Sequence, residues 1–304
     1  RTVQLGGDVF GIKLFSDGVI VAALSEIYAD GGLKCPASEA GIQPGDYILS
    51  VNGNNVETNA ALSAVLSENE TNTLTLRRGT ETFTTQVTSV LCEGSYKAGM
   101  WVRDSAAGIG TVTFYTEDGK AFGALGHGIA DETSGALMPL RDGSVLSAVV
   151  ADVRPGGHGT AGELVGSFDA ADRIGAIERN GLFGIFGTLD TPPDGTPVET
   201  APASAVRTGS ATILSTVAGD TVQAYAVNIT RVYHDGASTR FAITVTDPAL
   251  LSATGGIVQG MSGSPILQDG RLIGAVTHVL LSDPAKGYGV SIDDMLAAAQ
   301  AQAA

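Results

Sequence analysis

The sequence predicts a mainly β protein with two domains, a small N-terminal one and a larger one that ends in a helix. Thr, Val and Ile recur in short alternating runs bounded by Gly, Asp and Asn, which is typical of strands joined by tight turns. Glycine occurs 41 times, whereas aromatic residues make up 6% of the chain. The 304 residues, 43% of them hydrophobic, are enough for two domains with substantial cores.

The first domain is expected at residues 1–91. Residues 9–14 and 19–24 read as strands, and residues 40–53 read as a turn followed by a strand that ends at an Asn-Gly pair. Behind Thr58, a candidate N-cap, apolar residues recur at helical spacing as far as residue 67. Two alternating strands follow, so the predicted order is strands, one helix, then two closing strands.

This segment resembles a PDZ domain, because AGIQPGDYILSVNG at residues 40–53 is similar to that family's AGL-x-GD-x-I-x-x-VNG stretch. Phe10, Gly11 and Ile12 then take the place of the carboxylate-binding loop. The resemblance implies that an extended peptide adds to a strand edge from Ile12 to Leu14, with the helix as the other wall of the groove. The alternative is a domain that serves for packing alone.

The second domain is expected at residues 92–304, where short strands follow one another at the spacing of sandwiches and barrels. The clearest runs are residues 111–115, 146–150, 184–187, 221–232 and 239–245. Phe241, Ile243 and Val245 alternate with more polar residues, which predicts one buried face. In this part of the chain, residues 292–300 alone read as a helix.

The run Gly-Met-Ser-Gly-Ser-Pro at residues 260–265 has the form Gly-x-Ser-Gly-x-Pro that surrounds the nucleophile of chymotrypsin-like serine proteases. It predicts a chymotrypsin-like double β-barrel with Ser262 as nucleophile, and backbone N–H groups of Gly260 and Ser262 as the oxyanion hole. Apolar runs around Asp269-Gly270 predict a hairpin directly after the serine. The alternative is a glycine-rich turn without chemistry. An α/β-hydrolase is excluded, since its elbow motif requires glycine where this chain has Ser264.

A serine hydroxyl needs a base, and histidine is the usual one. The four histidines are His127, His158, His234 and His278. His127 ends an apolar run between two glycines, which favours it as the base, with His278 as its rival. The order of histidine before serine fits a chymotrypsin-like arrangement.

A carboxylate should orient the imidazole. Asp247, Asp131 and Asp104 are the candidates, and Asp247 ends a strand directly before Pro248. For Asp247 the alternative reading is a residue that starts a turn before proline. The residues alone leave this choice open.

Four blocks together resemble one family: YKAGMWVRDSAAGIGT at 96–111, Gly-His at 126–127, FGIFG at 183–187 and TGGIVQGMSGSP at 254–265. The chain is similar over its whole length to the stage IV sporulation protein B (SpoIVB) peptidases of endospore-forming Firmicutes. That resemblance implies His127, Asp247 and Ser262 as the catalytic residues. A separation of 15 residues between Asp247 and Ser262 (262 − 247) is unlike chymotrypsin.

The resemblance also implies a biology. The family is secreted from the forespore into the space between the two membranes, where it processes itself and cleaves a regulator of an intramembrane protease. The PDZ domain is thought to guide recognition of both substrates. For such an exported family we expect an N-terminal signal or anchor, and a sequence that starts at Arg1 is compatible with its loss.

The net charge and the cysteine spacing limit the kinds of partner and cofactor that are expected. The 17 basic and 32 acidic residues give a net charge of −15, which argues against nucleic acid or an anionic membrane surface as partner. Cys35 and Cys92 fit no metal-ligand spacing, and no metal or cofactor is expected. The expected partner is a protein or peptide, including the chain itself. The competing hypothesis is a catalytically silent PDZ adaptor that captures peptide tails.

Overall fold

The computed structural model describes residues 1–29, 31–169, 171–236 and 238–301. Its helices are α1 (Pro36–Glu39), α2 (Asn59–Glu68), α3 (Pro248–Thr254) and α4 (Ile292–Gln300), with a short 3-10 helix at Ala203–Ala205. The strands of the first half are β1 (Thr2–Leu5), β2 (Val9–Leu24), β3 (Ile27–Ala29), β4 (Gly32–Lys34), β5 (Tyr47–Val51), β6 (Asn54–Asn55), β7 (Thr71–Arg78), β8 (Glu81–Thr88), β9 (Val90–Cys92), β10 (Ser95–Lys97), β11 (Met100–Tyr115), β12 (Ala121–Ala124), β13 (Leu140–Ser147) and β14 (Val149–Arg154). Those of the second half are β15 (Glu163–Ser167), β16 (Arg173–Gly181), β17 (Gly184–Leu189), β18 (Pro197–Glu199), β19 (Gly209–Ser215), β20 (Gln223–His234), β21 (Thr239–Val245), β22 (Pro265–Gln268), β23 (Arg271–Val279) and β24 (Lys286–Ser291). The predicted mainly β class is confirmed.

The chain divides into two compact units. The small unit consists of Phe15–Ala106 and Ala130–Arg141, and the large unit of Arg1–Leu14, Ala107–Ile129 and the chain from Asp142 onward. This corrects the expected division into residues 1–91 and 92–304. The reason is that β2 and β11 are 16 residues long and each contributes residues to both units.

The small unit is built on a meander in which β2 pairs with β5, β5 with β7 and β7 with β8, all antiparallel. Alternate residues of β7 are buried, as a one-sided sheet requires. Beneath them α2 packs its two buried leucines, Leu62 and Leu66. The helix begins as predicted, because the Thr58 hydroxyl accepts a hydrogen bond from the Ala61 N–H at 3.1 Å.

One ion pair, between a buried carboxylate and a partly exposed guanidinium, connects two parts of this meander. Asp46, 1% exposed, accepts two hydrogen bonds of 2.7 Å from the Arg78 guanidinium, one on each carboxylate oxygen. It also accepts from the Gln43 N–H at 2.9 Å. The pair joins the turn before β5 to the end of β7. Its geometry satisfies the carboxylate that burial would otherwise penalise.

The large unit contains a closed barrel with the strand order β19-β20-β21-β24-β23-β22. Phe241, Ile243 and Val245 of β21 point into it and are at most 3% exposed, as their alternation predicted. The Phe241 ring lies over two glycines, since a Cβ built on Gly274 or Gly289 would come within 2.7 Å or 2.4 Å of its ring atoms. The absence of side chains there makes room for the aromatic ring in the core.

A second set of strands also forms a circuit of pairings. β11 pairs with β12, and the order continues through β17, β16, β13 and β2, which pairs again with β11. The aromatic rings of Phe10 and Phe122 meet edge to face at 6.0 Å in the large unit. The region predicted as a peptidase is therefore rich in barrel structure, as expected.

Two local predictions are confirmed, and two α-helices, the four-residue α1 and the longer α3, were missed. Asp269 and Gly270 both have positive φ (51° and 75°) in the turn between β22 and β23, which suits a tight hairpin. Helix α4 begins after Ser291, whose hydroxyl accepts from the Asp294 N–H. The longer missed helix, α3, has Asp247 as N-cap, proline in its first turn and Gly255 as a left-handed C-cap, a readable combination of helix signals.

Cys35 and Cys92 are free thiols in the structure. The Cys35 thiol donates to the Gly99 carbonyl at 3.4 Å. Within the described ranges, no helix has the length and apolar character needed to cross a bilayer.

We expect Phe241→Ala to lower the free energy of unfolding of the large unit by about 3–5 kcal/mol, because truncation leaves a cavity between two glycine-lined strands. Hydrogen–deuterium exchange of the barrel amides under native conditions measures this loss. Tyr233→Ala, at a site 40% exposed, is the control and should cost about 1 kcal/mol or less. Equal protection in the two variants would contradict the assigned core.

Candidate active site

Ser262 lies on the loop between α3 and β22, and glycines shape this loop. Gly260 and Gly263 have φ angles of +97° and +96°, which side chains other than glycine rarely adopt. A Cβ on Gly263 would lie 1.9 Å from the Thr111 carbonyl oxygen. The glycine after the serine is therefore required for the close approach of the loop to β11.

Strand β11 holds the loop through its carbonyl groups. Thr111 donates its N–H to the Ser262 carbonyl at 3.0 Å and its hydroxyl to the Gly260 carbonyl at 2.8 Å. The Thr113 hydroxyl donates to the Gly263 carbonyl at 2.8 Å. Both threonines are fully buried, so these bonds are shielded from competing water.

Two backbone N–H groups of the loop remain for a ligand. The Gln259 carbonyl accepts from the Leu164 N–H at 2.8 Å, and the Met261 carbonyl accepts from the Ser264 N–H at 3.0 Å. Because a trans peptide directs its N–H and carbonyl to opposite sides, the N–H groups of Gly260 and Ser262 point away from these partners. In the described part of the chain neither donates to an acceptor. They form the pair that the sequence predicted as an oxyanion hole.

The Ser262 hydroxyl is ordered by β23. It donates a hydrogen bond of 2.7 Å to the carbonyl oxygen of Thr277. This carbonyl precedes His278, so the predicted nucleophile lies at the end of β23. The hydroxyl must rotate away from this acceptor before it can give its proton to an imidazole.

His127 lies three residues after β12, on a sharply turned segment. Leu125 and Gly126 both have a φ of +69°, and for leucine this left-handed conformation is strained. A Cβ on Gly126 would lie 3.0 Å from the methyl group of Thr277. The turn therefore brings the residue before His127 against the strand end that binds the Ser262 hydroxyl.

The imidazole of His127 has a defined tautomer. Its Nδ1 lies 2.9 Å from the Gly128 carbonyl oxygen, and since a carbonyl can act only as acceptor, Nδ1 carries the proton. Nε2 then keeps its lone pair, as a general base requires. Burial lowers the pKa of His127, although the hydrogen bond to Gly128 opposes this shift. His127 is consequently neutral at neutral pH.

The structure places a second imidazole against the first. The ring centroids of His127 and His278 lie 4.6 Å apart, with an angle of 31° between the ring planes. His278 was the sequence-based rival for the base, and the structure places it against His127, directly after the carbonyl that binds the Ser262 hydroxyl. His234, by contrast, forms a hydrogen bond of 3.0 Å with the Thr239 hydroxyl.

Asp247 is not brought to His127, which corrects its expected role as the orienting acid. Its carboxylate accepts from the N–H groups of Ala249 and Leu250 in the first turn of α3, at 2.9 and 3.2 Å, and from that of Ala226 at 3.2 Å. These backbone bonds, the Ala226 bond foremost, lower the pKa of Asp247. Among the described residues no hydrogen bond or ion pair joins it to the imidazole. Helix capping uses the carboxylate because the chain must start α3 immediately after β21.

The two other acidic candidates are also engaged elsewhere, both in the small unit. Asp131 accepts from the backbone N–H groups of Thr133 and Ser134 at 3.1 and 2.8 Å. Asp104 accepts from the Asn59 N–H at the start of α2 at 2.8 Å. The acceptor for Nδ1 of His127 is therefore a neutral carbonyl and not a carboxylate.

The residues predicted to bind a peptide carboxylate are misplaced. Phe10, Ile12 and Leu14 are at most 5% exposed, and all belong to the large unit. Gly11 packs against Phe168, where a Cβ would come within 2.7 Å of the ring. The prediction of a receiving strand edge at Ile12 to Leu14 is therefore wrong, because this part of β2 is interior strand.

The small unit has a groove of about 540 Å³ in a different place. Leu62 and Leu66 of α2 line one side, and Met100 and Val102 of β11 line the other. At one end the chain turns at Gly99, whose φ is +77°. A helix facing the start of a strand, with a glycine turn at the end of the groove, is the arrangement that receives extended peptides.

Both carbonyl groups of the turn at Gly99 accept hydrogen bonds from the protein. The carbonyl of Ala98 accepts from the Ala37 N–H, and that of Gly99 accepts from the Ser25 N–H, at 2.8 and 2.9 Å. By peptide planarity, the N–H groups of Gly99 and Met100 point away from these partners. The sequence signal was available, since Ala-Gly-Met at 98–100 has the same apolar-glycine-apolar form as Phe-Gly-Ile at 10–12.

Comparisons with known proteins agree with the sequence-based expectation. A family model described as "SpoIVB peptidase S55" matches residues 94–296, and one described as "PDZ domain" matches residues 28–78. Among solved structures, the active form of the Rv3671c protease from M. tuberculosis is similar, with 14% identity and a TM-score of 0.40 over 65% of this chain and 76% of that chain. The inactive form of that protease gives 12% identity and a TM-score of 0.39 over 64% and 85%. No curated protein matches the sequence.

We expect Asp247→Asn to retain most of the reactivity of Ser262, because asparagine caps helices about as well as aspartate. Asp247→Ala should lower Tm by about 2–4 °C, because the helix cap is lost, and should moderately lower the rate at which Ser262 is labelled. Labelling by a fluorophosphonate probe and thermal unfolding measure the two effects. A hundredfold or greater loss in Asp247→Asn, at unchanged Tm, would restore Asp247 as the catalytic acid.

Proposed function

Because the chain belongs to the SpoIVB peptidase S55 family and carries a PDZ domain, we propose that this serine peptidase processes itself and cleaves a regulator of an intramembrane protease. Ser262 acts as nucleophile and His127 as general base. The observation that carries the proposal is the arrangement around the end of β23. The Ser262 hydroxyl donates to the Thr277 carbonyl, the next residue, His278, lies against the His127 imidazole, and among the described residues the N–H groups of Gly260 and Ser262 have no acceptor.

The reaction is acyl transfer from a peptide bond. The Ser262 oxygen attacks the carbonyl carbon as Nε2 of His127 takes the hydroxyl proton, and the N–H groups of Gly260 and Ser262 bind the oxygen that becomes negative. His127 then passes the proton to the leaving amine, and the peptide C–N bond breaks. Water attacks the acyl-enzyme in the same way and releases Ser262.

The sporulation role rests on the family. We propose an exported protein that acts between the forespore and mother-cell membranes, where its cut relieves inhibition of the intramembrane protease. The groove of the small unit would hold the peptide segments that select the substrate, including segments of the chain itself. Its backbone N–H groups at Gly99 and Met100 suit a C-terminal carboxylate.

A silent adaptor is the second candidate. The observation that favours it is the Ser262 hydroxyl, which donates to the Thr277 carbonyl rather than to an imidazole. This contact is broken by rotation of one side-chain torsion, so a substrate that occupies the Thr277 carbonyl would free the hydroxyl. Covalent labelling of the serine separates the two candidates.

We expect a fluorophosphonate probe to label Ser262 in the full chain. Ser262→Ala should abolish labelling, and His127→Ala should lower its rate at least about 10⁴-fold, since the nucleophile loses its base. The labelling rate should fall with decreasing pH through a pKa below the ordinary histidine value, because burial disfavours the charged imidazole. Folded wild-type protein that stays unlabelled from pH 5 to pH 9 would support the adaptor.

We expect Ser63→Trp to weaken binding of peptides with a free C-terminus at least about tenfold, because Ser63 lines the groove and a large ring would fill it. Ala64→Trp is the matched control, because Ala64 is the next residue of α2, is also exposed and does not line the groove, and this variant should bind normally. Fluorescence polarisation with a C-terminal peptide library measures both, and amidated peptides test the carboxylate. Equal binding by the two variants would exclude this groove as the site.

A further inference from the structure

The second imidazole at the site is placed by an irregularity of β23. Between Val276 and Val279 this strand advances three residues while β24 advances two, from Gly289 to Gly287. This is a β-bulge, a device that redirects side chains next to active sites. His278 lies inside the bulge, and its ring meets that of His127 at 4.6 Å.

The contact between the two rings lies where a chymotrypsin-like site has a carboxylate that stabilises the charged imidazole. When His127 takes the serine proton it becomes a cation, and its Nδ1–H already donates to the neutral Gly128 carbonyl. That acceptor fixes the tautomer but brings no negative charge. The face of a neutral aromatic ring, by contrast, attracts a cation directly.

The surroundings of His278 favour its neutral form. Partial burial, the neighbouring His127 and the Arg240 guanidinium of β21 all lower the pKa of His278, burial most strongly. The lysine on the paired strand β24, Lys286, is engaged with Asp283 at 2.9 Å. At neutral pH His278 is therefore uncharged beside the base.

We propose that His278 is a positioning residue for the general base: its neutral ring holds the His127 imidazole by stacking and stabilises the imidazolium formed during acylation. This inference rests on the proposed peptidase function. His278 exchanges no proton in it. The proton moves from Ser262 Oγ to His127 Nε2 as the bond from Oγ to the acyl carbon forms, and it leaves with the amine when the C–N bond breaks.

The test compares His278→Phe, His278→Ala and His278→Lys in the full chain, with His234→Phe as the control histidine. The fluorophosphonate labelling rate is measured across pH, and NMR follows the titration of the His127 ring. We expect His278→Ala to slow labelling about 3- to 30-fold, the range of a cation–π contact. His278→Phe keeps the ring and should lose less than about threefold, and His234→Phe should match wild type.

The lysine variant supplies the electrostatic readout. A fixed positive charge beside His127 should lower its pKa in the NMR titration and slow labelling beyond the alanine variant. A labelling rate in His278→Ala within twofold of wild type would overturn the proposal. So would a phenylalanine variant as slow as the alanine variant, or a His127 titration unmoved by the lysine. Absence of labelling in wild type would refute the peptidase function instead. The NMR titration would then still decide whether the His278 ring acts on the His127 ring.

Discussion

The hydrogen bonds of residues 259–263 determine which backbone groups of the serine loop are free to bind a ligand. All five carbonyl oxygens of this segment accept a bond from the protein, three of them from Thr111 and Thr113. Three of the five N–H groups donate, to Gly162, Val258 and Val276. Within these described residues the N–H groups of Gly260 and Ser262 are left over. Because buried backbone groups are normally paired, such a remainder marks a place for a ligand oxygen.

Much of this arrangement could be predicted from the sequence, since it depends on local patterns. The serine motif, the Asp-Gly hairpin and the terminal helix each need a few neighbouring residues, and the structure has them where expected. The packing of the loop on Thr111 and Thr113 joins residues about 150 positions apart. A contact between residues so far apart along the chain cannot be predicted from a local sequence pattern.

Other predictions about the site were wrong or incomplete, for identifiable reasons. Phe10, Gly11 and Ile12 have the composition of a carboxylate-binding loop, but composition does not distinguish a loop from interior strand when the strand runs on for 16 residues. Asp247 was interpreted by family position, whereas its neighbour Pro248 signals a helix start that uses the carboxylate locally. His278 was predicted as the rival base, and its ring contact with His127 was not predicted, since a bulge in the pairing of two strands cannot be recognised from the sequence of one of them.

The predicted base, His127, differs electrostatically from a triad histidine. A buried carboxylate both orients the imidazole and offsets its charge, whereas here a backbone carbonyl provides orientation and an aromatic neighbour faces the ring. Both contacts come from uncharged groups. In the mechanism that we propose, the charge that develops during acylation is thus stabilised by dipoles and a polarisable ring rather than by a fixed anion.

The bulge in β23 makes the site sensitive to chain length as well as to side-chain identity. Because of one extra residue between Val276 and Val279, the side chains at the end of β23 no longer alternate in register with those of β24. Loss of a single residue there would restore regular pairing and turn the histidine to the opposite face, since side chains alternate with a period of two. A deletion of one codon would therefore turn the predicted catalytic surface into an ordinary barrel edge while leaving Ser262, His127 and every glycine of the loop in the sequence.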